Sequence, residues 1–225
     1  GATYKGRPVG SLADLTTFSF HPVKHITTGE GGMVTTDNPD FAERMRIFRN
    51  HGITTDYHQR EKHGTWFYEM VDLGYNYRIT DIQCALGLSQ LRKLKVWVKR
   101  RQEIARTYDA AFSEIPEVRP LMVRSDVSHA YHLYVVRFDL RRLKATRAEI
   151  FAALRAEGIG VNVHYIPVHL HPFYRQMFGT RLGMCPVAEA AYEQIISLPI
   201  FPHMLDDDVN KVIAAVVKVI KVFST

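Results

Sequence analysis

Cysteine is nearly missing from this chain. Two thiols, Cys84 and Cys185, stand far apart in 225 residues and in no metal-ligand spacing. Neither a disulfide framework nor a metal site is implied, and a reducing cytoplasm is the expected compartment. Long apolar runs are missing too. No stretch approaches the roughly 18 consecutive apolar residues of a membrane helix, and no signal-peptide pattern opens the chain. Internal repeats, low-complexity tracts and zinc-finger or RNP-type nucleic-acid motifs are also absent. What is present is an ordinary globular composition, 46% hydrophobic and 23% charged. It leaves room for one large domain or two small ones, with a core that needs no staples.

The net charge of +6 is concentrated in one run, Arg92-Lys93 through Lys99-Arg100-Arg101, interleaved with Leu91, Leu94, Val96, Trp97 and Val98. Such a run reads first as the solvated face of a long helix. The sharper alternative is a patch for nucleic acid or for the phosphates of an acidic metabolite. A duplex-binding patch would show steeply salt-dependent binding, but no accompanying motif supports it, and no nucleic-acid partner is expected.

Turn and cap residues divide the chain into elements. Leu15 to Phe20 and Met33 to Thr36 read as strands around the Gly29-Glu30-Gly31-Gly32 turn. Asn38-Pro39 opens a helix with Phe41, Met45 and Phe48 on one face and Gly52 as its stop. Residues 53–72 show no clear period and read as a long ordered loop. Thr80-Asp81-Ile82-Gln83 is a capping box that starts a long amphipathic helix through Ile82, Leu86, Leu91, Leu94, Trp97, Ile104 and Tyr108. A second α/β pattern follows. Its parts are a strand at Tyr131 to Phe138, a capping box at Thr146-Arg147-Ala148-Glu149, a half-buried strand at Val161 to Tyr165, and a last helix begun by Asp206-Asp207-Asp208. The last helix has an apolar stripe of Val209, Ile213, Val216 and Val217. A domain boundary is expected inside the long helix, near residue 100.

The segment Ser19 to Gly32 carries the sharpest chemical signal. Lys24 lies on a turn between two strands, with a hydroxyl, Ser19, five positions before it and glycines beginning five positions after it. A lysine that condenses with an aldehyde must lose its proton, which calls for burial or nearby positive charge. A serine hydroxyl can donate to a phosphate, and glycines let a backbone come close. His21 and His25 flank the lysine as substrate contacts or as packed imidazoles. A surface lysine on a proline turn is the plain alternative.

At these residues the chain resembles the DegT/DnrJ/StrS family of sugar aminotransferases. The likeness runs through SFHPVKHITTGEGGMVTT (19–36), LGYNYRITDIQCALGLSQL (73–91), HLYVVR (132–137), VHYIPVH (163–169) and SLPIFP (197–202), in order over essentially the whole chain. The resemblance implies an α/β chain of the fold type I, pyridoxal-phosphate-dependent aminotransferases. Residues 1–100 would complete the large cofactor-binding domain, and residues 101–225 would form the small C-terminal domain. Among family members the likeness is greatest to those that aminate C4 of a UDP-linked 4-keto-6-deoxy N-acetylhexosamine, as in pseudaminic acid synthesis.

The resemblance assigns Lys24 as the residue that holds pyridoxal phosphate covalently and moves the proton in transamination from L-glutamate. It makes Ser19 a donor to the cofactor phosphate. Asn76 would reach the phosphate of a neighbouring subunit's cofactor, so a homodimer with shared active sites is implied; a turn asparagine is the alternative reading. His21, Arg78, His164 and Tyr165 would contact the nucleotide-sugar, with strand packing as the alternative for the last two. The family's aspartate partner to the pyridine nitrogen, in a stretch like DAAHALG, would fall just before Gly1. The chain is therefore expected to be a fragment, inactive by itself. Two rivals remain: a sugar dehydratase of the same family, which would carry histidine in place of Lys24, and a non-catalytic remnant of the fold.

Overall fold

The computed structural model describes residues 1–55 and 57–224. They form two compact units, one of Gly1–Lys95 with Ser125–Ser128 and the other of Val96–Arg124 with His129–Thr225. No helix among the described residues is long and apolar enough to cross a membrane.

In the first unit, β1 (Thr3–Tyr4) pairs antiparallel with β2 (Arg7–Pro8) on one side and with Val127–Ser128 on the other. A separate hairpin joins β3 (Thr16–Ser19) to β4 (Gly32–Thr35), in a register that sets Ser19 opposite Gly32. The helix expected after Asn38 is α1 (Pro39–Phe48), where the Asn38 side chain accepts from the amides of Asp40 and Phe41 at 2.8 and 3.2 Å. That bond satisfies donors that every helix start leaves orphaned.

Residues 53–72 do more than loop. Thr54 N donates to Glu69 O at 3.0 Å and Val71 N to Gly52 O at 2.8 Å, so the two limbs run side by side, with α2 (Tyr57–Lys62) between them. One helical turn and a half is too short to show a 3.6-residue period.

The long helix is in fact two, α3 (Asp81–Leu91) and α4 (Leu94–Phe112). Arg92 and Lys93 separate them, and Lys93 N bonds to Gln90 O three residues back at 2.9 Å. Neither proline nor glycine marks that break. The Thr80–Gln83 capping box forms as read. The burial of α3 reverses the expectation, however. Ile82 is 85% exposed, and Leu86, Leu88 and Leu91 are exposed with it. The half-buried positions are Gln83, Cys84, Gly87 and Gln90.

The described core lies wholly in the second unit. There β5 (Val118–Pro120), β6 (Tyr134–Phe138) and β7 (Ile195–Leu198) form an antiparallel sheet in the order β5-β6-β7. Alternate residues of β6, Tyr134, Val136 and Phe138, are buried, as a half-solvated strand requires. They share a cluster with Ile104, Tyr108 and Phe112 of α4, Ile150 and Leu154 of α5 (Arg147–Ala156), and the final helix. Between α5 and β7 come two short helices, α6 (Pro172–Phe178) and α7 (Pro186–Tyr192). The last helix, α8 (Asp206–Phe223), buries Val209, Val212, Ala215, Val216, Val219 and Ile220. Its stripe is thus turned by about one residue from the Val209-Ile213-Val216-Val217 pattern. The Thr146–Glu149 box caps α5 as read.

Two members of the basic run are structural. Arg101 is 6% exposed, and its Nη1 donates to the carbonyls of Tyr131 and Ile200 at 3.0 and 2.8 Å. Arg100 donates to Met204 O and to Asp206 Oδ1, each at 2.7 Å. Their charge is spent on closing the second unit, whereas a solvated face was expected. Near α5, the Asp139 carboxylate accepts from the guanidinium of Arg141 at 2.9 Å through both oxygens. That bond lowers the carboxyl from 3.8 to about 2. A depressed carboxylate stabilises the fold above its unfolded value and loses that contribution as protonation proceeds in the folded state. The acid arm of stability should therefore contain a component that fades between pH 3.8 and about 2. Asp139→Asn should remove that component from an acid titration followed by circular dichroism and leave the neutral-pH signal unchanged.

Candidate active site

The excursion between β3 and β4 presents Lys24. Its frame is backbone to backbone: Phe20 N donates to Gly31 O at 2.9 Å, Thr28 N to Phe20 O at 3.1 Å, and Lys24 N to His21 O at 3.0 Å. Threonine hydroxyls close the rest, with Thr27 Oγ1 donating to Phe20 O at 3.0 Å and Thr28 Oγ1 to Glu30 O at 2.6 Å. Thr28 is 3% exposed and anchors the base of the turn. Lys24 is half-buried above it, while Ser19 and His21 are exposed. Ser19 Oγ accepts from His21 N at 3.4 Å, and His21 Nε2 lies 4.0 Å from Glu30 Oε1. His21 and Lys24 thus occupy the hairpin connection, and Ser19 ends the strand that leads into it.

Asn76 and Arg78 sit elsewhere in the same unit, lining a basin of about 890 Å³. Two glycines place them. The segment before Asn76 crosses the chain after α1 so closely that a Cβ on Gly74 would strike Gly52 N. The crossing is stitched by His51 N to Tyr75 O at 3.0 Å, Tyr75 N to Phe48 O at 2.7 Å and Tyr77 N to Arg49 O at 3.0 Å. Tyr75 and Tyr77 stack with centroids 4.9 Å apart. Arg78 Nη1 then donates to Asn50 Oδ1 at 2.8 Å. Among the described residues the basin is lined by Arg46, Arg49, Arg60 and Arg78 together with Glu43 and Asp81. A concave surface with that excess of cations suits an anionic ligand.

His164 and Tyr165 belong to the second unit. Val161–Tyr165 is not a strand; one isolated bridge joins Asn162 to Ser197 on β7. His164 Nδ1 lies 2.7 Å from the hydroxyl of the buried Ser197, and Tyr165 is 68% exposed. Beyond them His169 Nε2 meets Glu189 Oε1 at 2.7 Å, and Glu189 also accepts from the amides of Gly183 and Cys185 at 2.9 and 3.1 Å. Desolvation works to raise that carboxyl, but the amides and His169 together hold it below the ordinary range.

The model of the DegT/DnrJ/EryC1/StrS aminotransferase family matches residues 1–217. The chain belongs to this family. Its curated relatives include the spore coat polysaccharide biosynthesis protein SpsC of Bacillus subtilis, 43% identical over 97% of this chain and 57% of SpsC. Among solved structures, Helicobacter pylori PseC, an aminotransferase involved in the biosynthesis of pseudoaminic acid, superposes with a TM-score of 0.88 at 33% identity. The match covers 99% of this chain and 57% of PseC. The sugar aminotransferase Spr1654 of Streptococcus pneumoniae, described as putative and solved in a PLP form, matches at 35% identity and a TM-score of 0.86, over 98% of this chain and 55% of its own. The α/β architecture is therefore that of the PLP-dependent sugar aminotransferases, and the chain spans little more than half the length of these relatives.

For a DegT/DnrJ/EryC1/StrS chain, the sequence reading found the lysine turn but missed what braces it. Gln83 Nε2 donates to Glu30 O and Gln90 Oε1 accepts from Thr27 N, each at 2.9 Å. In the sequence Gln83 reads only as a capping residue. The three-and-four spacing of Gln83, Gly87 and Gln90 was the available signal, and it was obscured because an amphipathic helix is read by its apolar residues. Arg46, Arg49 and Arg60 of the basin were also missed, since nothing in their spacing connects α1 to the 53–72 segment.

Proposed function

We propose that the protein transfers an amino group from L-glutamate to a nucleotide-linked 4-keto-6-deoxy sugar of the UDP-N-acetylhexosamine type, using pyridoxal phosphate, for surface glycan biosynthesis in the cytoplasm. The observation that carries this is the half-buried Lys24 on a hydrogen-bonded hairpin connection, with the Ser19 hydroxyl at the end of the strand that leads into it. These donors fit the aldehyde and phosphate ends of the cofactor. When bound, pyridoxal phosphate supplies an electron sink for the carbon that gains or loses the amino group.

In this reading the Lys24 amine attaches the cofactor and, once displaced by the donor, holds and returns the proton. Ser19 donates to the phosphate. His21 orients the sugar, and His164, steadied by Ser197, binds the nucleotide-sugar with Tyr165. Arg78, fixed by Asn50, takes an anionic group, and Asn76 serves the cofactor of a second copy, giving a homodimer with shared sites. Residues 1–100 act as the remainder of the cofactor domain and 101–225 as the small domain. Pseudaminic acid synthesis supplies the sugar class, by likeness to PseC. Lys24 itself argues against the dehydratase alternative.

A second reading has its own support. The described residues of the first unit bury no apolar side chain, and they expose Trp66, Ile82, Leu86 and Leu88. Apolar surface of that extent marks a place for a partner, and in this second reading the chain keeps the lysine turn but is inactive by itself.

The test is chemical trapping. The chain is mixed with pyridoxal phosphate, reduced with borohydride, digested and mapped by mass spectrometry. The added mass should fall on the peptide containing Lys24. No addition, or addition spread evenly over the exposed lysines, defeats the cofactor assignment.

A further inference from the structure

We propose that Gln83 and Gln90 of α3 are positioning residues for Lys24, acting as a two-point clamp on the turn that carries it. This rests on the reading of Lys24 as the cofactor-bearing lysine, and it adds residues that the reading does not contain. The two glutamines are seven positions apart with Gly87 between them, so all three lie on one helix face. That face, not the apolar one, is turned to the lysine connection. Gln90 Oε1 accepts from the amide of Thr27, three residues after Lys24, at 2.9 Å. Gln83 Nε2 donates to the carbonyl of Glu30 at 2.9 Å. Between them Gly87 lets the helix approach, since a Cβ there would lie 2.9 Å from Thr28 Cγ2.

The two amides are used in opposite senses. Gln83 Oε1 accepts from the amide and the hydroxyl of Thr80, each at 3.0 Å, which completes the helix cap. Its nitrogen is thereby directed at Glu30 O, and a flipped amide would set donor against donor at Thr80 and acceptor against acceptor at Glu30. A glutamate at 83 could still cap the helix but could not donate to Glu30. A glutamate at 90 could still accept from Thr27. A clamp and a merely helix-stabilising pair therefore differ in how they respond to the same conservative change. An imine-forming lysine must be held at a fixed place relative to its aldehyde.

The variants are Gln83→Glu, Gln90→Leu and Gln90→Glu in the full chain. Two measurements are made on each without cofactor. One is amide hydrogen exchange across residues 25–31. The other is the rate and pH dependence of Lys24 acylation by an amine-directed anhydride, with the exposed Lys62 as internal reference. Gln83→Glu and Gln90→Leu are each expected to speed exchange at the turn by about tenfold, the loss of one hydrogen bond. Both should also change the pH dependence of Lys24 acylation relative to Lys62. Gln90→Glu should match the parent in both measurements. Faster exchange with an unchanged Lys24 profile makes the glutamines merely structural and overturns the proposal. So does a Gln83→Glu variant that behaves as the parent, or a Gln90→Glu variant that behaves as Gln90→Leu. Borohydride trapping of the parent separates the two layers. Shifted profiles without trapping defeat the cofactor reading and leave the clamp. Trapping with unshifted profiles does the reverse.

Discussion

Lys24→Ala is expected to abolish covalent attachment of pyridoxal phosphate while moving the stability of the chain by no more than about 0.5 kcal/mol. The two halves of this expectation come from different atoms. Attachment needs an unprotonated primary amine at one place, and alanine offers none. Stability of the connection is held in its backbone and its threonines. Lys24 N donates to His21 O, Thr28 N to Phe20 O, and the Thr27 and Thr28 hydroxyls to Phe20 O and Glu30 O. Alanine preserves every one of these. Lys24→Arg is the sharper control, because it keeps the positive charge and the length but is not deprotonated and cannot condense with an aldehyde. Both variants should give the parent's far-ultraviolet circular dichroism and no borohydride-trapped product on the 19–32 segment. Trapping at undiminished yield in either variant would mean that another amine carries the cofactor.

How far the sequence reached depended on where each signal was stored. Caps and turns are local, so the boxes at Thr80 and Thr146 and the Asn38-Pro39 start could be read outright. The Lys24 connection was legible for the same reason: its hydroxyls and glycines are neighbours in sequence. Burial is not local. Ile82 and Leu86 have helical spacing but face outward, and the chain alone does not say which side of α3 has a partner. The break at Arg92–Lys93 has no local mark either, since both residues are good helix formers. Val161 to Tyr165 alternates like a strand, yet only Asn162 pairs, with Ser197. The pattern recorded a segment half-covered on one side, which a bridge and the His164–Ser197 contact also produce. Arg101 is the plainest case. In sequence it is one more cation in a basic run, and only the carbonyls of Tyr131 and Ile200 assign it to the interior.

The second large effect is expected from the crossing that places Asn76 and Arg78. Gly74→Ala should destabilise the first unit by about 3 kcal/mol or more, through forced separation of two backbones. Side chains can rotate away from an added methyl, but here the obstacle is Gly52 N together with His51 C at 2.5 Å and Gly52 Cα at 2.8 Å. Relief requires lengthening the bonds from His51 to Tyr75 O and from Val71 to Gly52 O, each worth about 1 kcal/mol. Gly52→Ala meets the carbonyl of Asp72 and also holds φ at +72°, so left-handed strain of about 1–2 kcal/mol adds to the collision. Gly64→Ala separates the two causes, since Gly64 has φ +61° with nothing within 4 Å of the new methyl. It should show the strain alone. Hydrogen exchange at residues 48–54 and 70–77 is the suitable readout, because a two-unit chain need not melt in one step. Gly74→Ala and Gly52→Ala should both raise exchange there far more than Gly64→Ala does. Equal effects from all three would show that the crossing is not what fixes the basin. With no buried apolar side chain among its described residues, the first unit has little else to hold Arg78 against Asn50. Loosening at Gly74 should therefore be felt first at the Arg78–Asn50 hydrogen bond.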